Sequence, residues 1–435
     1  MKTQPLNPKI PYGLVFTGGG TRGCYEIGAW KALKELNVKI TAVAGTSIGA
    51  INGAFFVQDD FDLAYKTWTS IKIDDFIVAE DDNPIKIFIS ALKDKGLDVT
   101  PLKKMLNRYF DEALIRQSPV DYGLVTFSLS DVEPVMVLKK DIPDGQLVDY
   151  ILASASFPLF KPAVINGKRY LDGAVYDNVP VPLLKKAGCQ DIIVVNISGV
   201  GIDRNYTAEK VGIRSLHTIQ NSSELCGTLE FDLDKINKGI DMGYLDTLKA
   251  FGKVYGKKYY FSEPISDFEK YKHLHPLTEN DLASLLNVLT KDSEDSSNGN
   301  KYPIIKRLYE YGDGQLSPQN ILLASMEITA EIFELPRIKL YHPEELYEAI
   351  VIDYLNTLDT LQTIESKKTL LDIYKSLDFN NINKKTLTTY FISLTEKDKV
   401  SKKFLVKFLP KVYIAYLFLS FMKNRDVRLN HEVTN

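Results

Sequence analysis

Gly45-Thr46-Ser47-Ile48-Gly49 is the part of this chain whose residue types and spacing could do covalent chemistry. A serine with glycines two positions to either side fits a G-x-S-x-G nucleophile elbow, a strained strand-to-helix turn that exposes the hydroxyl. Gly45 and Gly49 would relieve the crowding, and the helix that follows would put its N-terminus under a developing anion. The plainer reading of the same residues is a helix N-cap serine. A second loop, Gly18-Gly19-Gly20-Thr21-Arg22-Gly23, matches G-x-G-x-x-G and lets backbone N–H groups converge on an anion. A dinucleotide fold would place an acidic residue at the end of the next strand. Here that strand runs into Gly45-Thr46-Ser47, so the acid is missing. Parallel strands ending at one edge would instead set Gly18, Gly19 and Gly20 beside Ser47, as an oxyanion hole.

A base for Ser47 is harder to find. The five histidines are His217, His273, His275, His342 and His431. A Ser-Asp-His order is formally open to His217, but 213–220 holds no catalytic-looking turn, and a satisfied or exposed histidine reads better there. Asp172-Gly173-Ala174 follows a short strand and precedes the turn-rich Asp177-Asn178-Val179-Pro180. Asp-Gly by itself is weak, since Asp144-Gly145 and Asp313-Gly314 also occur and a structural turn is the default for each.

The elements that must position these residues alternate. Tyr12 to Phe16 is an apolar run ending in glycines, 23–36 has helical spacing, 40–44 is a second strand and 48–57 a second helix. Strand, turn, helix, strand, turn, helix is the rhythm of an α/β fold with a parallel sheet. Residues 58–118 read as largely helical, with polar breaks around 80–84. The segments 124–129 and 135–138 read as a hairpin, 169–171 as a strand, and the apolar run 192–197 as a central parallel strand. After about 265 the texture changes: 292–300 is a solvated linker, and Leu, Lys, Glu and Ile then recur at helical spacing.

Bulk properties exclude several classes. A hydrophobic share of 45% and a charged share of 25% are those of a soluble globular protein. A net charge of −3 does not suit a dedicated nucleic-acid binder. Cys24, Cys189 and Cys226 form no CxxC pair, and their odd number argues against a disulfide framework and for a reducing compartment. The start of the chain lacks a signal-type apolar region, and no run reaches a transmembrane length. A cytoplasmic protein is expected, with no metal, cofactor or nucleic acid implied; D-x-[DN]-x-[DN]-G and H-E-x-x-H patterns are absent.

The GGGTRG loop, the GTSIG elbow and the DGA turn, in this order, resemble patatin-like phospholipases. Ala153 to Pro158, Phe160-Lys161-Pro162, Asp172 to Pro180 and Asp191-Ile192-Ile193 extend the resemblance over roughly 10–260. It implies a three-layer α/β/α acyl hydrolase domain at 8–265; the helical spacing beyond it reads as a mostly helical accessory region at 266–435. It also implies a Ser-Asp dyad, in which Ser47 attacks the acyl carbonyl and Asp172 takes its proton. Gly18, Gly19, Gly20 and Gly23 would hold the oxyanion; Arg22 has two readings, a contact to a lipid phosphate or a plain surface arginine. A buried Asp has the raised pKa such a base needs, and the arrangement suits esters better than amides. The substrate class is a fatty acyl ester of a phospholipid or lysophospholipid. The alternatives are transacylation on the same dyad and a non-catalytic lipid-binding scaffold. Near the C-terminus, Lys402, Lys403, Lys407 and Lys411 alternate with Phe404, Leu405, Phe408 and Leu409, and Pro410 breaks or restarts the helix. Two readings of 402–422 follow: a core helix with a solvated lysine face, or a peripheral membrane contact.

Overall fold

The run Tyr-Gly-Leu-Val-Phe has no polar side chain, so it is stable only as a strand covered on both faces. It forms β1 (Tyr12–Phe16), fully buried at the centre of a mixed sheet. The computed structural model describes residues 5–78, 96–265, 303–312, 317–365, 384–397 and 402–423. They divide into two compact units, the first Pro5–Gly252 and the second from Lys253 onward.

In the first unit β1 lies between β2 (Ile40–Thr46) and β7 (Asp191–Asn196), both parallel to it. Beyond β2 comes β3 (Asp121–Ser128), also parallel, and beyond β7 the parallel edge strand β8 (Ser215–Gln220). β4 (Glu133–Leu138) runs antiparallel to β3 along one edge, β6 (Lys168–Asp172) runs antiparallel to it along the other edge, past the end of β2, and β5 (Ala163–Ile165) runs antiparallel to β6. The parallel expectation therefore holds for five strands, and β5 and β6 add a second antiparallel hairpin. The hairpin read at 124–129 and 135–138 is present, although β4 starts two residues earlier and includes Pro134.

Helices cover both faces because strand side chains alternate. Val15, Ala42, Ala44 and Val194 share a core with Leu183 and Leu184 of the helix Val181–Lys186. On the opposite face Val43 and Tyr122 approach Gly53 of the helix Ile48–Gln58, and Phe16 meets Phe56 edge-on. Between β1 and β2, a short 3-10 turn at Gly20–Gly23 leads into the helix Cys24–Glu35. Polar residues 80–84 lie outside the described residues.

The second unit is built from helices at Pro303–Tyr311, Pro318–Ile332, Pro343–Glu365, Lys384–Glu396, Lys402–Phe408 and Pro410–Lys423. Two two-residue strands, β9 (Tyr260–Phe261) and β10 (Leu340–Tyr341), pair in parallel. Glu327 is buried and accepts the N–H groups of Lys257, Lys258 and Tyr259. The linker read at 292–300 lies outside the described residues. Pro410 restarts the helix, as its missing N–H allows at a first-turn position. Lys411 differs from the expected lysine face: its Nζ bonds Glu331 at 2.8 Å and the Tyr311 hydroxyl at 2.7 Å. Tyr413 and Phe418 belong to the unit's core, whereas Phe404 and Phe408 are 45% and 60% exposed. The side chains of Lys402, Lys403 and Phe421 lie outside the described residues. Among the described residues no helix is long and apolar enough to cross a membrane.

Candidate active site

Ser47 stands where β2 ends and the helix Ile48–Gln58 begins, with φ 57° and ψ −127°. A side chain in that region stores strain of roughly 1–3 kcal/mol, and the surroundings hold it there. A β-carbon on Gly45 would lie 2.1 Å from the Gly49 carbonyl oxygen, and one on Gly49 would lie 2.2 Å from that of Phe16. Both positions are thus closed to any other residue, which is the reason for the G-x-S-x-G spacing. The Ser47 N–H donates to Ser154 Oγ at 3.0 Å, and Ser154 Oγ donates to the Val125 carbonyl at 2.7 Å.

Asp172 is the last residue of β6 and is 1% exposed. Its N–H donates to the Ser156 carbonyl at 2.8 Å, and one carboxyl oxygen accepts the Ala174 N–H at 2.8 Å. The other, Oδ2, is buried with no partner at hydrogen-bond geometry. Burial pushes the carboxyl up to about 7, while the Ser47 hydroxyl and the Ala174 N–H draw it back down. Ser47 is therefore near enough to be felt by Asp172 without a completed bond, a common state of a catalytic pair before substrate arrives. The register explains their meeting: Thr46 pairs with Val125 and Asp172 with Thr126, successive residues of β3.

The glycine loop leaves β1 beside this pair, since Phe16 is register partner of Gly45. The Gly18 N–H is taken by Asn178 Oδ1 at 2.8 Å, and the Thr21 N–H by the Thr228 carbonyl at 3.0 Å. Between them, Gly19 and Gly20 give their N–H groups to no loop, turn or side-chain partner among the described residues. Gly20 has φ +62° and packs on the Thr228 carbonyl, where a β-carbon would come within 2.0 Å. Gly23 lies against Ile48 and gives its carbonyl to Asn52 Nδ2 at 3.0 Å. Arg22 is turned to backbone, its guanidinium bonding the carbonyls of Cys226 and Ser198.

A cleft opens over Ser47, Gly20 and Thr21 and is walled by Ile51, Leu102, Phe157, Phe160 and Phe231. His217 is elsewhere: it sits on β8 opposite Ile193, with β7 and β1 between it and β2. Burial lowers its pKa. His342 belongs to the second unit, and His273, His275 and His431 lie outside the described residues. Among the described residues no three metal-ligating side chains converge. Sequence reasoning passes over Ser154, Ser156 and Asn178 as working parts. Their only signals are the small-residue run 153–156 and a polar Asn between Asp177 and Val179.

Residues 14–185 match the family model described as patatin-like phospholipase. The chain is 25% identical over 286 residues to patatin-like phospholipase domain-containing protein 6 of Mus musculus, covering 56% of this chain and 20% of that protein. It is 29% identical over 194 residues to lysophospholipase NTE1 of Kluyveromyces lactis, covering 43% of this chain and 13% of the relative. The matches thus span a fifth or less of those relatives' length. VipD from Legionella pneumophila aligns at 13% identity and TM-score 0.35, covering 94% of this chain and 91% of that one. Over residues 14–185, this chain is thus similar to patatin-like phospholipase domains.

Proposed function

We propose that the domain hydrolyses fatty acyl esters of phospholipids or lysophospholipids through an acyl-enzyme on Ser47. The observation that carries this is the Asp172 carboxyl, buried, held near neutrality and set beside a serine on a strained elbow. In the first step the Ser47 oxygen attacks the acyl carbon while Asp172 takes the hydroxyl proton. The ester C–O bond then breaks, and the proton passes from Asp172 to the leaving alkoxide. Water, deprotonated by Asp172, releases the fatty acid in a second round. The N–H groups of Gly19 and Gly20 are the free donors for the oxyanion, and the helix N-terminus at Ile48 adds to them. An alkoxide leaves more readily than an amine anion, so a weak carboxylate base suffices for esters. The phenylalanine-lined cleft supplies an apolar place for the acyl chain.

Arg22 has two of its donors on backbone carbonyls, so a phosphate contact would fall to the remaining nitrogen, Nη2. Among the described residues, the peripheral membrane contact read at 402–422 would fall to Phe404, Lys407 and Phe408. Cys24, Cys189 and Cys226 are free and buried, which supports a reducing compartment such as the cytoplasm. The test is incubation of the purified chain with a mixed lipid extract and mass spectrometry of the products. Released fatty acid that disappears with Ser47→Ala supports the reading; the same release from both proteins ends it.

A further inference from the structure

The turn that follows Asp172 reaches back to the glycine loop through one side chain. Asn178 is buried and grips Gly18 at two points: Oδ1 accepts the Gly18 N–H at 2.8 Å, and Nδ2 donates to the Gly18 carbonyl at 3.3 Å. Nδ2 also donates to Asp203 Oδ1 at 3.0 Å, and Asp203 Oδ2 accepts from Asn196 Nδ2 at 3.3 Å. This pattern allows one orientation of the amide, because a flipped Asn178 would face the Asp203 carboxylate with oxygen and the Gly18 N–H with nitrogen. A β-carbon on Gly18 would lie 2.5 Å from Asn178 Oδ1 and 3.0 Å from Ser47 Cβ, so the loop is held between amide and nucleophile without slack. On the far side Thr21 is anchored to Thr228. Gly19 and Gly20 are thereby suspended between two anchors, and the directions of their N–H groups follow from where those anchors sit.

We infer that Asn178 is a positioning residue for the oxyanion donors, and that it ties the turn bearing Asp172 to the loop bearing those donors. The inference rests on the ester-hydrolase reading above. Asn178 makes no bond to Ser47 or Asp172 and acts through Gly19 and Gly20. Losing one oxyanion donor outright costs roughly a hundred- to a thousandfold in rate, so a donor merely mis-aimed costs somewhat less.

The test uses the full chain with a soluble short-chain ester and a trifluoromethyl ketone as tetrahedral-intermediate mimic. Asn178→Ala should lower kcat about ten- to a hundredfold, leave KM within about twofold, and weaken the ketone by the factor lost in kcat. The midpoint of the pH–rate profile should stay where it is, because Asp172 keeps its surroundings. Amide exchange across 17–24 should quicken. Asn178→Asp keeps an acceptor for the Gly18 N–H but sets a carboxylate against Asp203. Its activity should fall, and Asp203→Asn in that background should restore part of it, which also decides the matter if the alanine variant does not fold. A folded Asn178→Ala protein with unchanged kcat, or a loss shared equally by KM, overturns the inference while leaving the hydrolase reading intact. A wild-type chain that neither cleaves the ester nor takes a fluorophosphonate on Ser47 overturns both.

Discussion

The Ser47 amide is held by the Ser154 hydroxyl at 3.0 Å, and two residues further on the Ser156 carbonyl takes the Asp172 amide at 2.8 Å. One short segment at the end of the helix Leu147–Ser154 thus braces both halves of the proposed dyad. Ser154→Ala would remove the acceptor of the Ser47 N–H and a donor to the Val125 carbonyl, at a cost of about 1–3 kcal/mol. It should also let the elbow relax and lower kcat about tenfold. Urea unfolding with single-turnover kinetics checks this; an unchanged kcat would show that the elbow holds itself.

Ser47→Ala should abolish ester turnover and fluorophosphonate labelling with the fold retained. Asp172→Asn should lower kcat about a hundred- to ten-thousandfold, and His217→Gln should change it by less than about twofold. Circular dichroism with steady-state kinetics on the three variants separates a dyad from a triad. A folded His217→Gln protein as slow as Asp172→Asn would favour the triad.

With Asp172 at about 7, the proposed base is half ionised near neutrality and mostly ionised above it. The rate on a soluble ester should climb through about pH 7 and level off above it. A midpoint near 4 would mean that the carboxyl is solvated in solution.

The same shift acts on stability. An acid whose folded pKa lies above its unfolded value binds more protons when folded, so its contribution falls as pH rises from about 4 to about 7. Asp172→Asn removes that penalty, at most about 4 kcal/mol. The variant should therefore melt above wild type at pH 8, with the gap closing toward pH 4.5. Equal melting curves at pH 8 would mean that burial does not strain this carboxyl.

The elbow and the glycine loop are legible in the sequence because glycine is itself the local mark of a position where no β-carbon fits, whatever part of the chain crowds it. Strand direction is not local. The residues 169–171 read as a strand, yet nothing in them says that β6 runs against β3. β8 escapes notice because its alternation is interrupted by His217 and Thr218 on an edge. Asn178, Ser154 and the backbone contacts of Arg22 join residues far apart in the chain, where no periodicity reports them. Lys411 is misleading for the same reason, since Glu331 and Tyr311 come from other helices.

Lys411→Gln should lower the stability of the helical unit by about 1–3 kcal/mol, because a charge-assisted pair with Glu331 and a bond to Tyr311 are lost. Turnover of a soluble ester should be unaffected. Calorimetry of the full chain beside the ester assay checks both statements, and a parallel loss of turnover would tie Lys411 to the chemistry.

The pairing of Thr46 and Asp172 with neighbouring residues of β3 has an evolutionary consequence. On the dyad reading, the distance from nucleophile to base is set by the register of β2 and β6 along one edge of β3 and is independent of the length of chain that joins them. Descendants of this domain can gain, lose or exchange the segments before β3 and between β3 and β6, and so change what reaches the cleft. Heredity must preserve the register of β3 far more strictly: a slip by one residue would turn the base away while leaving every catalytic residue in the gene.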